Sequence, residues 1–279
     1  MGEKNNFLKN IIKNVRDKNP LIHNITNYVT VNDCANILLA CGASPIMADD
    51  INEMEDISSI CGGLNINIGT LNIRVTESML AAGKEANKLG HPVILDPVGI
   101  GASKLRNEVV KLLLENIKFT VIRGNISEIN ALAFGKMGTK GVDAKIEDSV
   151  TEGNLNVVIE KIKRFSKELG AIIVVTGAID IVTDGERTYI IRNGEAMMSK
   201  VTGTGCMLSA LITAFIVANS ENKLEGVAGA VCAMGLSGER AKRRLRSFDG
   251  NSTYRNHIID EIFNMTDEVL EEGAKYEVK

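Results

Sequence analysis

A chain of 279 residues, 44% hydrophobic and 24% charged, carries enough apolar material for a large packed core and has the make-up of an ordinary globular protein. Its formal net charge of -3 gives no reason to expect a nucleic-acid partner, and no stretch is long and apolar enough to span a bilayer. The polar start, Met1-Gly2-Glu3-Lys4-Asn5-Asn6, lacks the apolar core of a secretion signal, so a cytoplasmic location is expected.

The five cysteines, Cys34, Cys41, Cys61, Cys206 and Cys232, form no CxxC pair, and His supplies only three residues, which excludes the usual zinc-site spacing. Four of them sit among apolar or small residues, as reduced core thiols do; Cys206 differs in its surroundings. No Pro-rich or Ser-rich linker divides the chain, so residues 1–279 are expected to form a single domain. The basic run Lys242-Arg243-Arg244-Leu245-Arg246 reads as a solvated helix face.

In chain order, Asn6–Lys18 has helical spacing of Phe7, Leu8, Ile11, Ile12 and Val15, and Pro20 stops it. Leu21–Val29 is strand-like but crowded with His23, Asn24, Thr26 and Asn27. Asn32 and Asp33 can cap a helix that runs to Gly42, and Ser44–Ala48 follows as an extended piece. Short apolar strands then alternate with helices. The strand Leu64–Ile68 ends at Gly69-Thr70 and precedes a helix at Arg74–Leu89; Pro92–Leu95 ends at Asp96 and precedes Leu105–Asn116. Phe119–Ile122 ends at Arg123-Gly124-Asn125 before a helix at Ile126–Phe134. A looser region and a helix at Val157–Leu169 lead to Ala171–Val175, which ends at Thr176-Gly177. Asp180–Thr183 and Thr188–Ile191 flank Asp184-Gly185 as a hairpin. Strands that are apolar on both faces and alternate with helices predict an α/β fold: a largely parallel sheet covered on both sides.

In such sheets ligands bind beyond the carboxyl ends of the strands. Gly69-Thr70, Asp96, Arg123-Gly124-Asn125 and Thr176-Gly177 all fall there. The stretch Lys200-Val201-Thr202-Gly203-Thr204-Gly205-Cys206 opens onto the same rim and runs into the apolar segment Met207–Phe215, a buried helix. Glycines at a helix start either make a tight turn or let backbone N–H groups and the helix dipole meet an anion. Asp96 and Glu128 can hold Mg²⁺ through water, or serve only a turn and a helix dipole. Arg123 can meet a nucleotide phosphate, or make a rim salt bridge. An acidic pair and an anion loop together suit phosphoryl transfer, although the P-loop signature GxxxxGK[ST] is missing.

The segments Pro20–Asn27, Gly42–Ala48, Leu95–Gly99, Ile122–Asn125 with Glu128, and Val201–Cys206 resemble those of the hydroxyethylthiazole kinase family, within the ribokinase-like superfamily. The likeness spans nearly the whole chain, and Cys206 stands where most of the superfamily resembles ribokinase in placing Asp. The resemblance implies a ribokinase-like fold with no separate lid domain, and phosphorylation of the primary alcohol of 4-methyl-5-(2-hydroxyethyl)thiazole by MgATP. It further implies a homotrimer with sites at subunit boundaries. By position, Met47, Gly203 and Asn27 match the substrate pocket, and Arg123, Thr176 and Asn125 the nucleotide side. Asp96 and Glu128 match the magnesium side, and Gly203, Gly205 and Cys206 the catalytic loop. A related kinase, a hydrate dehydratase on the same fold, or a non-catalytic nucleotide sensor are the alternatives. Asp49-Asp50 adds acid beside Met47, which bears on substrate range. At a helix start the Cys206 thiol is expected to lie below its ordinary pKa, with some thiolate available near neutral pH to take the alcohol proton late or to orient the hydroxyl.

Overall fold

The computed structural model describes residues 7–134 and 149–279. Their strands join in one nine-stranded sheet of order β2-β1-β3-β4-β5-β6-β7-β8-β9. These are β1 (Leu21–Ile25), β2 (Ser44–Ile46), β3 (Gly63–Asn67), β4 (Val93–Asp96), β5 (Val121–Asn125), β6 (Ile172–Thr176), β7 (Asp180–Thr183), β8 (Thr188–Ile191) and β9 (Tyr276–Val278). Pairings from β2 through β6 are parallel, and those from β6 to β9 antiparallel. The expected hairpin is β7–β8, its turn held by Asp184 Oδ1, which accepts from the N–H groups of Glu186 and Arg187.

The helices are α1 (Ile11–Lys18), α2 (Val31–Cys41), α3 (Met54–Ile60), α4 (Ile73–Lys88), α5 (Lys104–Asn116), α6 (Ile126–Phe134), α7 (Leu155–Leu169), α8 (Thr204–Ala218), α9 (Lys223–Arg244), α10 (Asn251–Phe263) and α11 (Asp267–Gly273). They cover both faces of the sheet. Ile22, Ile94, Val121 and Val174 share one core with α1, α2, α8, α9 and α10, while Leu64, Ile66, Leu95, Ile122 and Ile173 share the other with α4, α5, α6 and α7. No single helix among the described residues is long and apolar enough to cross a membrane.

Two expectations are corrected at the N-terminal side. The strand that begins at Leu21 stops at Ile25, because the Asn27 carbonyl and side chain take the N–H of Thr30 and turn the chain. Neither Asn32 nor Asp33 caps the next helix: α2 already starts at Val31, with Thr30 in the cap position. Its end at Gly42 is as expected, the left-handed φ of 97° being open to glycine. The N-terminal helix begins at Ile11 because Asn10 has a left-handed φ of 64°. Most of the looser region after Phe134 lies outside the described residues.

Helix α8 is the centre of the packing. Every residue from Cys206 to Ile216 is buried, pressed on β1, β3 and β4 and covered by α1, α2 and α9. Burying each large apolar side chain of this kind contributes about 1.5–3 kcal/mol, so the position of its first turn is tightly fixed.

Candidate active site

Side chains alternate across a strand, so the parity that puts Ile94, Val121 and Val174 under α8 also turns Asp96, Arg123 and Thr176 towards it. The same parity applies to Asn65 and Asn67 of β3, opposite in sense to Leu64 and Ile66. Asn67 and Asp96 are side by side in the ladder, as the last residues of β3 and β4. Polar residues at the ends of four parallel strands are thereby directed at one helix start.

There they join in a single network. Arg123 Nη1 lies 3.3 Å from Asp96 Oδ2, and Nη2 donates to Thr176 Oγ1 at 3.0 Å. Asp96 Oδ2 also accepts from Asn67 Nδ2 and from Ser209 Oγ on α8, both at 2.8 Å. Asp96 is fully buried, at 0% exposure. Burial pushes its carboxyl up from the usual range, against the pull of Arg123, Ser209 and Asn67. Burial also opposes the charge on Arg123, but Asp96 and Glu128 outweigh it and hold the guanidinium above its ordinary value.

Cys206 sits in the first turn of α8, where its Sγ accepts from Asn27 Nδ2 and Asn67 Nδ2, both at 3.3 Å. The expected lowering of its pKa is overturned. Burial pushes the thiol up, the Asp96 carboxylate adds to this, and the hydrogen bonds of Thr30 and Asn27 with the Arg123 charge do not offset them. A helix start lowers a thiol pKa where the sulfur is partly exposed and no anion stands beside it, and neither holds here. All five cysteines are free and buried.

Gly203 precedes α8 at a left-handed φ of 89°, and a Cβ there would meet Thr30 Cγ2 at 2.6 Å. No side chain caps the helix, so its first-turn N–H groups and dipole are presented to an outside acceptor. Gly205 lets the turn approach Arg123: a Cβ would stand 2.5 Å from Nη2 and 2.6 Å from Nη1. In Gly205→Ala the guanidinium, as the flexible partner, has to move. The expected result is binding of a polyphosphate such as ATP at this turn weakened by about tenfold or more, with melting temperature little changed; isothermal titration calorimetry and a thermal melt check it.

Beside this turn opens a cavity of about 600 Å³, lined among others by Arg123, Thr176, Gly177, Asp180, Thr204 and Gly205. Asn193, Met198, Leu208 and Met234 form more of its wall. Of the residues expected on the nucleotide side, Arg123 and Thr176 line it and Asn125 does not. Asn125 is exposed and caps α6: its Oδ1 accepts from the N–H of Glu128, whose Oε2 accepts from the N–H of Asn125, both at 2.9 Å. Glu128 Oε1 accepts from the N–H of Gly99 at 3.0 Å, tying α6 to the loop after Asp96. No group of three or more His, Cys, Asp or Glu is assembled into a metal cage among the described residues. Asp96 and Glu128 are two carboxylates whose charge acts on Arg123 at this rim, and Mg²⁺, which keeps several waters, takes one or two carboxylates together with substrate phosphates.

On the other side of the turn, Asn27 Oδ1 accepts from Thr30 Oγ1 at 3.1 Å, and its Nδ2 donates to Asn67 Oδ1 at 2.9 Å. Met47, half-buried, packs against the core cluster that contains Cys206. His23 fixes the segment after β2, with Nε2 3.0 Å from the carbonyl oxygen of Ala48. Burial holds this imidazole below its ordinary pKa.

The structure adds Asn67, Ser209, Thr30 and Asp180 to the residues expected here. The pattern Asn65-Ile66-Asn67 was a signal for the first, since amides on one face of a strand buried on both faces need partners. Ser209 gives no such signal, because a serine in a buried helix can satisfy itself on its own backbone.

The sequence pattern of the Hydroxyethylthiazole kinase family matches residues 12–268. A hydroxyethylthiazole kinase of Clostridium acetobutylicum is 63% identical over 271 residues, 97% of this chain and 99% of that protein. The solved structure of a hydroxyethylthiazole kinase protein from Pyrococcus horikoshii OT3 superposes with a TM-score of 0.85 at 35% identity, covering 98% of this chain and 99% of that one. A ribokinase-like superfamily protein from Enterococcus faecalis V583 shares the fold, with a TM-score of 0.61 at 13% identity over 91% of this chain and 88% of its own. With a ribokinase-like sheet, an uncapped helix start and a cysteine at its first turn, the chain belongs to the hydroxyethylthiazole kinase family.

Proposed function

We propose that the protein transfers the γ-phosphoryl group of ATP to the primary alcohol of 4-methyl-5-(2-hydroxyethyl)thiazole, giving the thiazole phosphate and ADP for thiamine salvage. The observation that carries this reading is the α8 start. It stands uncapped between a nucleotide-sized cavity carrying Arg123 and a buried polar cluster of Asn27, Asn67 and Cys206.

The nucleotide lies in the cavity, its phosphates towards Arg123, Thr176 and the N–H groups after Gly203. Glu128 and Asp96 would hold Mg²⁺ beside the phosphates, where the ion would supply charge neutralisation. The thiazole ring packs on Met47, whose thioether suits a small aromatic face, with Asn27 and Gly203 beside the hydroxyethyl arm. The alcohol oxygen forms a bond to the γ-phosphorus as the bond to the bridging oxygen of ADP breaks, and the alcohol proton is released. The transition state is loose, so little early deprotonation is needed, and positioning with charge neutralisation dominates. A thiol pushed up by burial suits orientation of the hydroxyl better than service as a ready-made base.

Residues 1–279 act as a single catalytic domain in the cytoplasm. Exposed Tyr28, Val29 and Ile73 flank the Asn27 side and offer apolar surface for a homotrimer with sites at subunit boundaries. Incubation with MgATP and the thiazole alcohol, read by mass spectrometry, is expected to yield the phosphate ester and ADP in equal amounts; ADP without ester, or neither, overturns the reading.

A pH dependence follows from Asp180 on the cavity wall. Burial pushes its carboxyl up to about 7, against the Gly177 N–H and the Arg123 charge. Above that pH it is an anion facing a polyphosphate, so KM for ATP is expected to rise as pH passes upward through 7 and to stay flat in Asp180→Asn. Steady-state titration with ATP across this range checks it.

A further inference from the structure

Asn67, like its neighbour Asn27, is fully hydrogen-bonded beside Cys206. Its Nδ2 donates to Asp96 Oδ2 at 2.8 Å and to Cys206 Sγ at 3.3 Å. Its Oδ1 accepts from Gly69 N and from Asn27 Nδ2, both at 2.9 Å. Both amide hydrogens and both oxygen lone pairs are thus in use, and the group is buried at 1% exposure. The reversed amide would put an oxygen against the Asp96 carboxylate, so its orientation is imposed by charge.

That orientation passes to the neighbouring amide. Because Asn67 Oδ1 accepts, Asn27 must present Nδ2 to it, which leaves Asn27 Oδ1 to accept from the N–H and Oγ1 of Thr30. One direction of donation then runs Thr30 to Asn27 to Asn67 to Asp96. Sγ lies beside its middle and receives an N–H from each asparagine. A sulfur held by two donors keeps its own hydrogen off both amides, and its place in the first turn of α8 is set at once from the end of β3 and from the turn after β1.

We propose that Asn67 is a positioning residue for phosphoryl transfer, transmitting the fixed charge of Asp96 to the orientation of Asn27 and Cys206. This rests on the reading above, in which Cys206 faces the reacting hydroxyl. Asn67 touches neither substrate. Its effect is therefore on kcat, exerted through Cys206, and not on the binding of ATP.

The test compares Asn67→Ala and Asn67→Ser, each alone and combined with Cys206→Ala, with thermal melts run alongside. Wild-type ester formation comes first; its absence refutes the proposed reaction and leaves no kinetic role for Asn67 to fill. With wild type active, kcat of the single variants is expected to fall by about 10- to 100-fold, with KM for ATP within about threefold. The fall should shrink to about twofold or less once Cys206 is already alanine, as expected of residues acting in series. A full additional fall in the Cys206→Ala background, or a KM for ATP that rises with the loss, overturns the proposal. So does unchanged kcat, and so does failure of both single variants to melt cooperatively, since Asn67 then serves the fold alone.

Discussion

Arg123→Met is expected to lower the unfolding free energy by about 3–5 kcal/mol at neutral pH, as measured by urea denaturation. The guanidinium is the only cation paired with Asp96 among the described residues, and the fully buried carboxylate would be left with the neutral donors Ser209 and Asn67. The sign with pH is fixed. Asp96 is already raised in the folded protein by burial, and removing the Arg123 charge raises it further. A carboxyl raised on folding weakens the native state as pH climbs from its unfolded value through its folded one. The loss in Arg123→Met should accordingly be largest at neutral pH and shrink as acid protonates Asp96. Adding Asp96→Asn should restore much of the stability, because an amide oxygen can still accept from Ser209 and Asn67, while activity stays lost. A variant as stable as wild type at neutral pH would show that the pair does not hold the site together.

Cys206→Ala is expected to reduce kcat by about 10- to 100-fold without abolishing turnover, and to change KM for the alcohol much less. The methyl group cannot orient a hydroxyl, but the uncapped helix start and Arg123 remain. Cys206→Asp places there the residue that the resemblance to ribokinase implies and should retain activity. Since burial and Asp96 push the thiol up, wild-type kcat should not rise tenfold per pH unit between about pH 6.5 and 8.5, as it would if thiolate were the working form. Equal kcat and pH profile in Cys206→Ala and wild type would remove Cys206 from the chemistry.

The strands of the parallel sheet were readable because their apolar runs are short and bounded by punctuation such as Gly69-Thr70 and Asp96-Pro97. Their ends fell within a few residues of the expected positions. The rim followed from the same pattern. Asp96, Arg123 and Thr176 are polar residues closing apolar strands, and they meet the Gly203–Cys206 turn as expected.

Two kinds of feature were not readable. Helix α9 is built with Gly226, Gly229, Gly235 and Gly238, which obscure its periodicity although each stands where a neighbour comes close. A Cβ at Gly235, for instance, would lie 2.7 Å from the Asn193 carbonyl oxygen. The state of the Cys206 thiol is the second. A helix start and a cysteine in sequence predict a lowered pKa, and only three dimensions show that Asp96 and full packing reverse it. The role of Ser209 belongs here too, since only the docking of α8 brings it to Asp96 from far away in the chain.

A crystal structure of the protein with Mg²⁺, a non-hydrolysable ATP analogue and the thiazole alcohol would locate both substrates at once. The γ-phosphate should accept N–H groups from the first turn of α8, with the triphosphate along Arg123 and Thr176 and the alcohol oxygen within about 4 Å of the γ-phosphorus on the Cys206 side. A triphosphate bound away from that turn, or an alcohol on the same side of it as the nucleotide, would contradict phosphoryl transfer across the start of α8.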